Sequence, residues 1–310
     1  MAVGNSGKSL VPALERGFAI LEVLGRSRAG LTLSQLTRSL SLPKSSVHCL
    51  LRTLHASGYL YKDSVSAKYR ISLKVCELAR QALNGTGIRE IARRDLKKLS
   101  DGTGLTVHLG IIEQSSCVLI EKLTPVGGPR TSTWVGKQLG LHCTAIGKAL
   151  IARVPSDEAM RLIANQGLIR YNDNTIVSLR QLNSELEKIR NQGYSLDDEE
   201  EEIGVRCIGR AIANASGEAV AALSITGTVN QINSERVRLL ANTVIDTANR
   251  IERQMKGHNL DLGCALPVSE FGTMRPGSLA LDRDEADSSP ADHDRRCPQP
   301  LFPRSGSLHA

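Results

Sequence analysis

Residues Thr32–Ser57, TLSQLTRSLSLPKSSVHCLLRTLHAS, leave few folds open to the chain around them. Thr32 is placed to cap a helix, and Gln35 three residues on would complete a capping box. Leu33, Leu36 and Leu40 then recur at helical spacing. Ser41-Leu42-Pro43 breaks the pattern, and Pro43 suits the first position of a second helix. In that helix Val47, Leu50, Leu51 and Leu54 form one apolar stripe. Ser45, His48, Arg52 and His55 fall on the opposite side, with Lys44 at its start. Two helices joined by a short turn, the second with a polar face, is the layout that fills a DNA major groove. Two packed helices of an ordinary bundle would share the apolar spacing, so the residues that follow decide between the two.

Gly58 ends the second helix. Tyr59-Leu60-Tyr61 and Lys68-Tyr69-Arg70-Ile71 read as short strands joined by residues 63–67, a wing able to lie along an adjacent groove or backbone. Three of the five tyrosines sit here with Lys62, Lys68 and Arg70. Packing within the hairpin is a simpler role for those tyrosines than base stacking.

Charge supports the DNA reading. Residues 1–80 carry 12 Lys/Arg against 4 Asp/Glu, while the other residues carry 27 against 28. The first 80 residues thus carry +8 and the rest −1, so the excess of positive charge belongs to the helix-turn-helix end, as a phosphate-binding surface requires. No apolar run approaches a membrane span, and the N-terminus lacks the apolar core of a secretion signal. Seven scattered cysteines without a CxxC pair fit reduced thiols in a cytoplasm, not a zinc site or disulfide framework. At 310 residues and 41% hydrophobic, the chain suggests about two domains.

Around this centre the chain organises as follows. Residues 1–8 read as a floppy arm. Leu10, Leu14, Phe18, Leu21 and Leu24 space out an opening helix, completing a winged helix-turn-helix domain over residues 9–71. Residues 72–87 read as a linker helix and hinge. Ile88, Ala92, Leu96 and Leu99 open a second domain, residues 88–256. Thr106–Ile112 and Cys117–Lys122 form an antiparallel hairpin, and Thr131–Val135 is a candidate third strand. Helices follow at Ala145–Arg153 and Asp157–Asn165, with Ser156 as cap of the latter, and another begins after Ser178, with Gln181 in capping-box position. Strands at Tyr194–Leu196, Val205–Ala213 and Ala219–Thr226 lead to a closing helix with Val237, Leu240, Val244, Ala248, Ile251 and Met255 on one face. The class is α+β with a mostly antiparallel sheet. Residues 257–310 hold six of the eleven prolines and no periodicity, which reads as a disordered tail.

Several segments in order resemble the IclR-type transcriptional regulators. Leu14-Glu15-Arg16-Gly17 with Ile20-Leu21 resembles that family's opening helix, and Leu42-Pro43-Lys44-Ser45-Ser46-Val47-His48 its recognition helix. Leu141-His142-Cys143-Thr144-Ala145-Ile146-Gly147-Lys148-Ala149 is similar to its most distinctive segment, and Asp197–Glu200 followed by Gly204-Val205-Arg206-Cys207 to another. The resemblance covers roughly residues 9–256. It implies an N-terminal winged helix-turn-helix domain and a C-terminal GAF/PAS-like domain that binds a small organic or aromatic acid. It also implies a homodimer or homotetramer on a palindromic operator, and an effector pocket lined by Ala145, Ile146, Asp197, Cys207, Ser224 and Thr226. Two departures stand out. Cys49 replaces a frequent arginine, and Arg210 stands where small residues and a proline usually follow.

The residues themselves add physical content. Lys44, Arg52, Lys62, Lys68 and Arg70 suit phosphates, and Ser45, Ser46 and His48 suit base edges. Ser224 and Thr226, two apart on one strand, share a face and can donate to a carboxylate or accept from a hydroxyl. Two strand residues facing water is the alternative. Ala145–Lys148 opens a helix whose first N–H groups suit an anion. An Asp at 197 suits a ligand hydroxyl better than a carboxylate. The acids 197–202 lack the spacing of a calcium loop and read as a solvated loop with Asp197 turned inward. Cys143 beside His142, and Cys207, raise thiol catalysis or redox sensing, but sequence neighbours on a strand point apart and no orienting residue is evident. No catalytic residue, metal or cofactor is expected. Three classes remain in play: a metabolite-responsive regulator, a GAF-type cysteine sensor or enzyme, and an effector-independent DNA binder.

Overall fold

The computed structural model describes residues 11–85, 87–113, 115–128 and 131–257. The expected N-terminal arm and, Gly257 apart, the expected tail lie outside the described residues. The chain divides into two compact units between Ala82 and Leu83.

The first unit contains α1 (Pro12–Gly25), α2 (Leu33–Leu40), α3 (Lys44–Ala56), β1 (Leu60–Lys62), β2 (Tyr69–Ile71) and most of α4 (Lys74–Asn84). The capping box forms: Gln35 N–H donates to the Thr32 hydroxyl at 3.3 Å, and Thr32 N–H donates to Gln35 Oε1 at 2.9 Å. Ser41 adopts a left-handed φ of 50°, which turns the chain between α2 and α3. Pro43 stands at the N-cap of α3, one residue ahead of the expected position. Val47 and Leu51 are fully buried with Ile20, Leu36, Leu60 and Tyr69. The wing is antiparallel, with Leu60 opposite Ile71 and Lys62 opposite Tyr69, and Leu31 pairs with Tyr69 as a further bridge. Tyr69 thus packs in the core, whereas Tyr61 is exposed. One expectation fails on α1. Leu14 and Phe18 are exposed, and the buried stripe runs through Gly17, Ile20 and Leu24. The small three-helix core covers only a narrow strip of α1, so Leu24 of the expected spacing is buried and Leu21 packs against the core, while Leu14 and Phe18 fall outside it.

The second unit comprises α5 (Gly87–Thr103), β3 (Thr106–Glu113), β4 (Ser116–Leu123), β5 (Gln138–Leu139), α6 (Ala145–Ile151), α7 (Ser156–Gln166), α8 (Leu179–Gln192), β6 (Ser195–Asp198), β7 (Val205–Ala213), β8 (Ala219–Thr228) and α9 (Ser234–Gly257). The strands form one antiparallel sheet in the order β5-β4-β3-β8-β7-β6. Alternation sends Val107, Leu109, Ile208, Leu223 and Ile225 into a core with α5 and α9. Cys117, Leu119, Ala211 and Ala222 enter a second core with α6, α7 and α8. The fold is the α+β class read from the sequence. Residues 131–135 are not a strand. The pairing with β4 is made instead by Gln138 and Leu139, because Lys122 Nζ holds the carbonyls of Thr131 and Thr133, at 3.2 and 2.6 Å, in a loop. Two helix caps also differ. Pro155, not Ser156, is the N-cap of α7, and Ser178 caps α8 without a side-chain hydrogen bond.

Candidate functional site

Two regions gather the residues singled out from the sequence. On the first unit, α3 turns its apolar stripe inward and presents Lys44, Ser45, His48 and Arg52 to solvent, with Ser46 half-buried at its flank. Lys62 and Arg70 of the wing are exposed, and Lys68 is half-buried. Lys62 Nζ lies 5.4 Å from the centre of the Tyr69 ring. Asp63 Oδ1 accepts N–H bonds from Val65 and Ser66, at 3.2 and 2.7 Å, shaping the wing tip. Lys74, missed in the sequence, donates to the Ser57 carbonyl at 2.8 Å and covers the Tyr59 ring at 4.8 Å. It fastens the end of α3 to the base of the wing.

The second region lies on the α6 face of the large sheet. Register explains it. Asp197, Cys207, Thr226 and Thr106 form one cross-strand row over β6, β7, β8 and β3. Ser195, Gly209, Ser224, His108 and Lys122 form the next row, which reaches β4. Every second residue of a strand shares a face, so Cys207, Ser224, Thr226 and Asp197 converge as expected. Ala145 and Ile146 of α6 close the cleft from above, with Thr133 and Lys137 at its rim. The cavity is about 50 Å³, room for a few water molecules.

The α6 helix can sit this low because Gly209 has no side chain. A Cβ there would come within 2.7 Å of the Ala145 carbonyl and the Ser195 hydroxyl. Gly209→Ala is expected to push α6 off the sheet and destabilise the second unit by about 1–3 kcal/mol; chemical denaturation measures this. Thr144 caps α6, its hydroxyl accepting Gly147 N–H at 3.1 Å. Since α6 has only seven residues, Ala145 and Ile146 supply mainly a wall.

His108 links the two rows. Its Nε2 is 2.8 Å from the Thr133 hydroxyl, and its Nδ1 is 3.3 Å from the Thr226 hydroxyl, which also lies 3.2 Å from Cys207 Sγ. Burial brings His108 down to about 3, helped by Lys122 and Lys137, so the ring is neutral. His108 was missed in the sequence, although it shares the β3 face with Thr106 and Gly110, a signal that alternation carries.

Below the cleft lies a buried charge cluster. Burial pushes the Asp197 carboxyl up to about 7, the Glu200 charge adding to the rise and Lys148 opposing it. Lys148 is wholly buried; its Nζ donates to the Leu196 carbonyl at 2.6 Å and pairs with Glu200. Asp197 Oδ1 accepts Glu200 N–H at 2.8 Å. This corrects the reading of 197–202 as a solvated loop with one inward acid, since Glu200 is buried too. Lys148 explains it: a cation inside α6 draws the second carboxylate in. Among the described residues no group of three or more His, Cys, Asp or Glu could hold a metal ion. Nor does any described helix have the length and apolarity to cross a membrane.

The thiols are held protonated. Burial raises Cys207 well above the ordinary thiol range, with Asp197 adding to it, and burial likewise raises Cys143. The pairing of His142 with Cys143 does not form. The segment 141–144 is a turn, not a strand, and His142 Nε2 is 3.0 Å from the Ile169 carbonyl. Arg210, the departure noted beside the cleft, lies on the opposite side of β7 from Cys207 and Gly209, and so leaves the cleft's shape alone.

Comparison with known proteins places these two regions in context. The family model of the IclR helix-turn-helix domain matches residues 13–64, and that of the bacterial transcriptional regulator IclR C-terminal region matches residues 80–253. Over 239 residues the chain is 34% identical to the HTH-type transcriptional repressor AllR of Salmonella typhi, a match covering 77% of this chain and 88% of that one. The crystal structure of the Thermotoga maritima IclR aligns with a TM-score of 0.67 at 28% identity, over 78% of this chain and 98% of that one. An IclR homologue from Microbacterium hydrocarbonoxydans, complexed with 4-hydroxybenzoate, aligns with a TM-score of 0.68 at 21% identity, over 79% and 99%, a likeness of fold alone. A helix-turn-helix unit followed by an effector-binding domain, each matched in order, makes this chain a member of the IclR family of DNA-binding transcriptional regulators.

Proposed function

We propose that the chain is a cytoplasmic regulator whose operator binding is set by a small carboxylate, an organic or aromatic acid, held in the cleft between α6 and the sheet, which widens from its volume of about 50 Å³ to take it. The observation that carries this is the convergence of Asp197, Cys207, Ser224 and Thr226 beneath Ala145 and Ile146. A carboxyl with a pKa of about 7 is half protonated near neutrality. In its neutral form Asp197 donates a hydrogen bond, which removes the objection to an Asp in a carboxylate site. Ser224 and Thr226 add two hydroxyls, and Ile146 and Leu119 give the apolar wall an aromatic or aliphatic body needs. The Microbacterium protein of the same fold holds an aromatic hydroxy acid, a molecule with groups for both kinds of partner.

On DNA, a homodimer or homotetramer presents two copies of α3 to the half-sites of a palindrome. Lys44, Arg52, Lys62, Lys68 and Arg70 contact phosphates, while Ser45, Ser46 and His48 meet base edges. The effector shifts the balance between DNA-binding states only by its differential affinity for them. Gel-shift titrations at two salt concentrations, on matched and scrambled operators, separate these roles. Arg52→Ala should weaken all sequences alike and lower the salt slope by about 1. His48→Ala should cost about 1–3 kcal/mol of discrimination with an unchanged slope. Equal behaviour of the two variants would remove the assignment. Replacing Cys143 and Cys207 together with Ser tests the cysteine-sensor alternative: a response that survives excludes it.

A further inference from the structure

We propose that a second cleft, at the open edge of β7, binds a small molecule carrying two or more negative charges. The cavity is about 640 Å³, within the range of small-molecule sites. It lies between the ends of α6 and α8, the start of α7 and the turn at Gly193, and three of its lining residues are Arg153, Arg190 and Arg210.

The sheet topology creates the opening. The last pairing of β6 with β7 is Ser195 with Gly209, so from Arg210 to Ala213 the outer edge of β7 has no strand beside it among the described residues. Arg210 stands at the point where cover ends. Its Nη1 donates to the Gly193 carbonyl at 3.0 Å. Its Nε is buried without a hydrogen-bond partner. Such a donor costs about 1–3 kcal/mol and more for a charged group, which points to a missing acceptor.

Charge points the same way. Among the described residues, none of the three arginines has a carboxylate in salt-bridge range. Burial and the charge of Arg153 push Arg210 below its ordinary value, and Glu252 offsets this only in part. One Glu252 oxygen already accepts Ala213 N–H at 2.9 Å. Arg153 and Arg190 stand at helix C-termini, where a cation offsets the dipole, and Arg190 Nε does donate to the Ala152 carbonyl at 2.8 Å. Arg210 comes from a strand; its Nη1 serves the carbonyl of Gly193, the C-cap of α8, but its Nε has no such partner among the described residues. The start of α7 adds N–H groups without a side-chain cap; its acids Asp157 and Glu158 do not line the cleft. Three guanidiniums around one cavity match a polyanion, because each offers paired N–H donors to a carboxylate or phosphate group.

Calorimetric titration and thermal shift of the full chain with citrate and with pyrophosphate test this, against sodium chloride of equal ionic strength and against acetate. At least one polyanion should bind and raise the melting temperature beyond the salt control, with acetate giving no effect. Which of the two binds separates a polycarboxylate from a phosphate ligand. Arg210→Gln should weaken binding at least tenfold, and so should Arg153→Gln, whose exposed side chain leaves folding untouched. Thr226→Val, in the other cleft, should leave it unchanged. No binding beyond the salt control would overturn the proposal. So would full affinity in both arginine variants, or affinity lost in Thr226→Val.

Discussion

Replacing Lys148 with methionine is expected to lower the melting temperature of the chain by roughly 6–20 °C. Lys148 has no solvent exposure, and its ammonium pairs with the buried Glu200 and with the Leu196 carbonyl. Methionine keeps most of the volume and removes the charge. Glu200 then stays inside without its partner, and one of its oxygens already has no hydrogen bond. Breaking one side of a buried pair costs about 3–5 kcal/mol. At about 2–4 °C per kcal/mol for a domain the size of the second unit the shift follows. The sign with pH is fixed as well. Burial raises Glu200 while Lys148 opposes the rise, so without Lys148 the folded-state pKa climbs further. The deficit is then smallest in acid, where Glu200 is protonated, and grows as pH rises through the folded pKa. Adding Glu200→Gln to Lys148→Met should return more than half of the loss. A double variant no better than the single one would show that the cost lies in packing.

The second large effect concerns the ligand. Affinity for a carboxylate effector should fall on the order of tenfold as pH rises from 6.5 to 8.5, because Asp197 loses the proton it donates. Above a pKa of about 7 the ligand meets an anion instead of a donor. Asp197→Asn keeps a donor at every pH, so its affinity should stay flat and exceed that of the unaltered chain at pH 8.5. Titration calorimetry with a carboxylate that raises the melting temperature in a screen, in buffers of different ionisation enthalpy, also reads proton uptake near pH 8. A flat profile for the unaltered chain, without proton uptake, would rule out a neutral Asp197 as the donor.

Much of this architecture was legible from periodicity. The capping box at Thr32, the stripe of α3, the hairpin of β3 and β4 and the apolar face of α9 follow from spacing, because local geometry alone decides them. The convergence of Ser224, Thr226 and Cys207 followed from strand alternation combined with family resemblance. What escaped the sequence depends on register and on tertiary charge. Nothing local says that His108 stands opposite Ser224, or that Lys148, inside a helix, draws Glu200 out of an acidic loop. The failure on α1 is of the same kind. Leu14 and Phe18 obey helical spacing as well as Ile20 and Leu24 do, and only the size of the neighbouring core decides which stripe it covers. Arg210 reads in the sequence only as a departure from the family pattern, and the end of the β6 pairing at Ser195 reveals the opening it lines.

If the sheet cleft reads a metabolite and the α3 face reads DNA, the two must be coupled in one chain. The most direct measurement takes duplexes enriched by the full chain from a random library and titrates them with a panel of carboxylates, for the unaltered chain and for Asp197→Asn/Thr226→Val. The account predicts a palindromic sequence, an affinity that at least one carboxylate changes, and a variant that holds the same DNA with that response gone. A variant that responds as the unaltered chain does would contradict it.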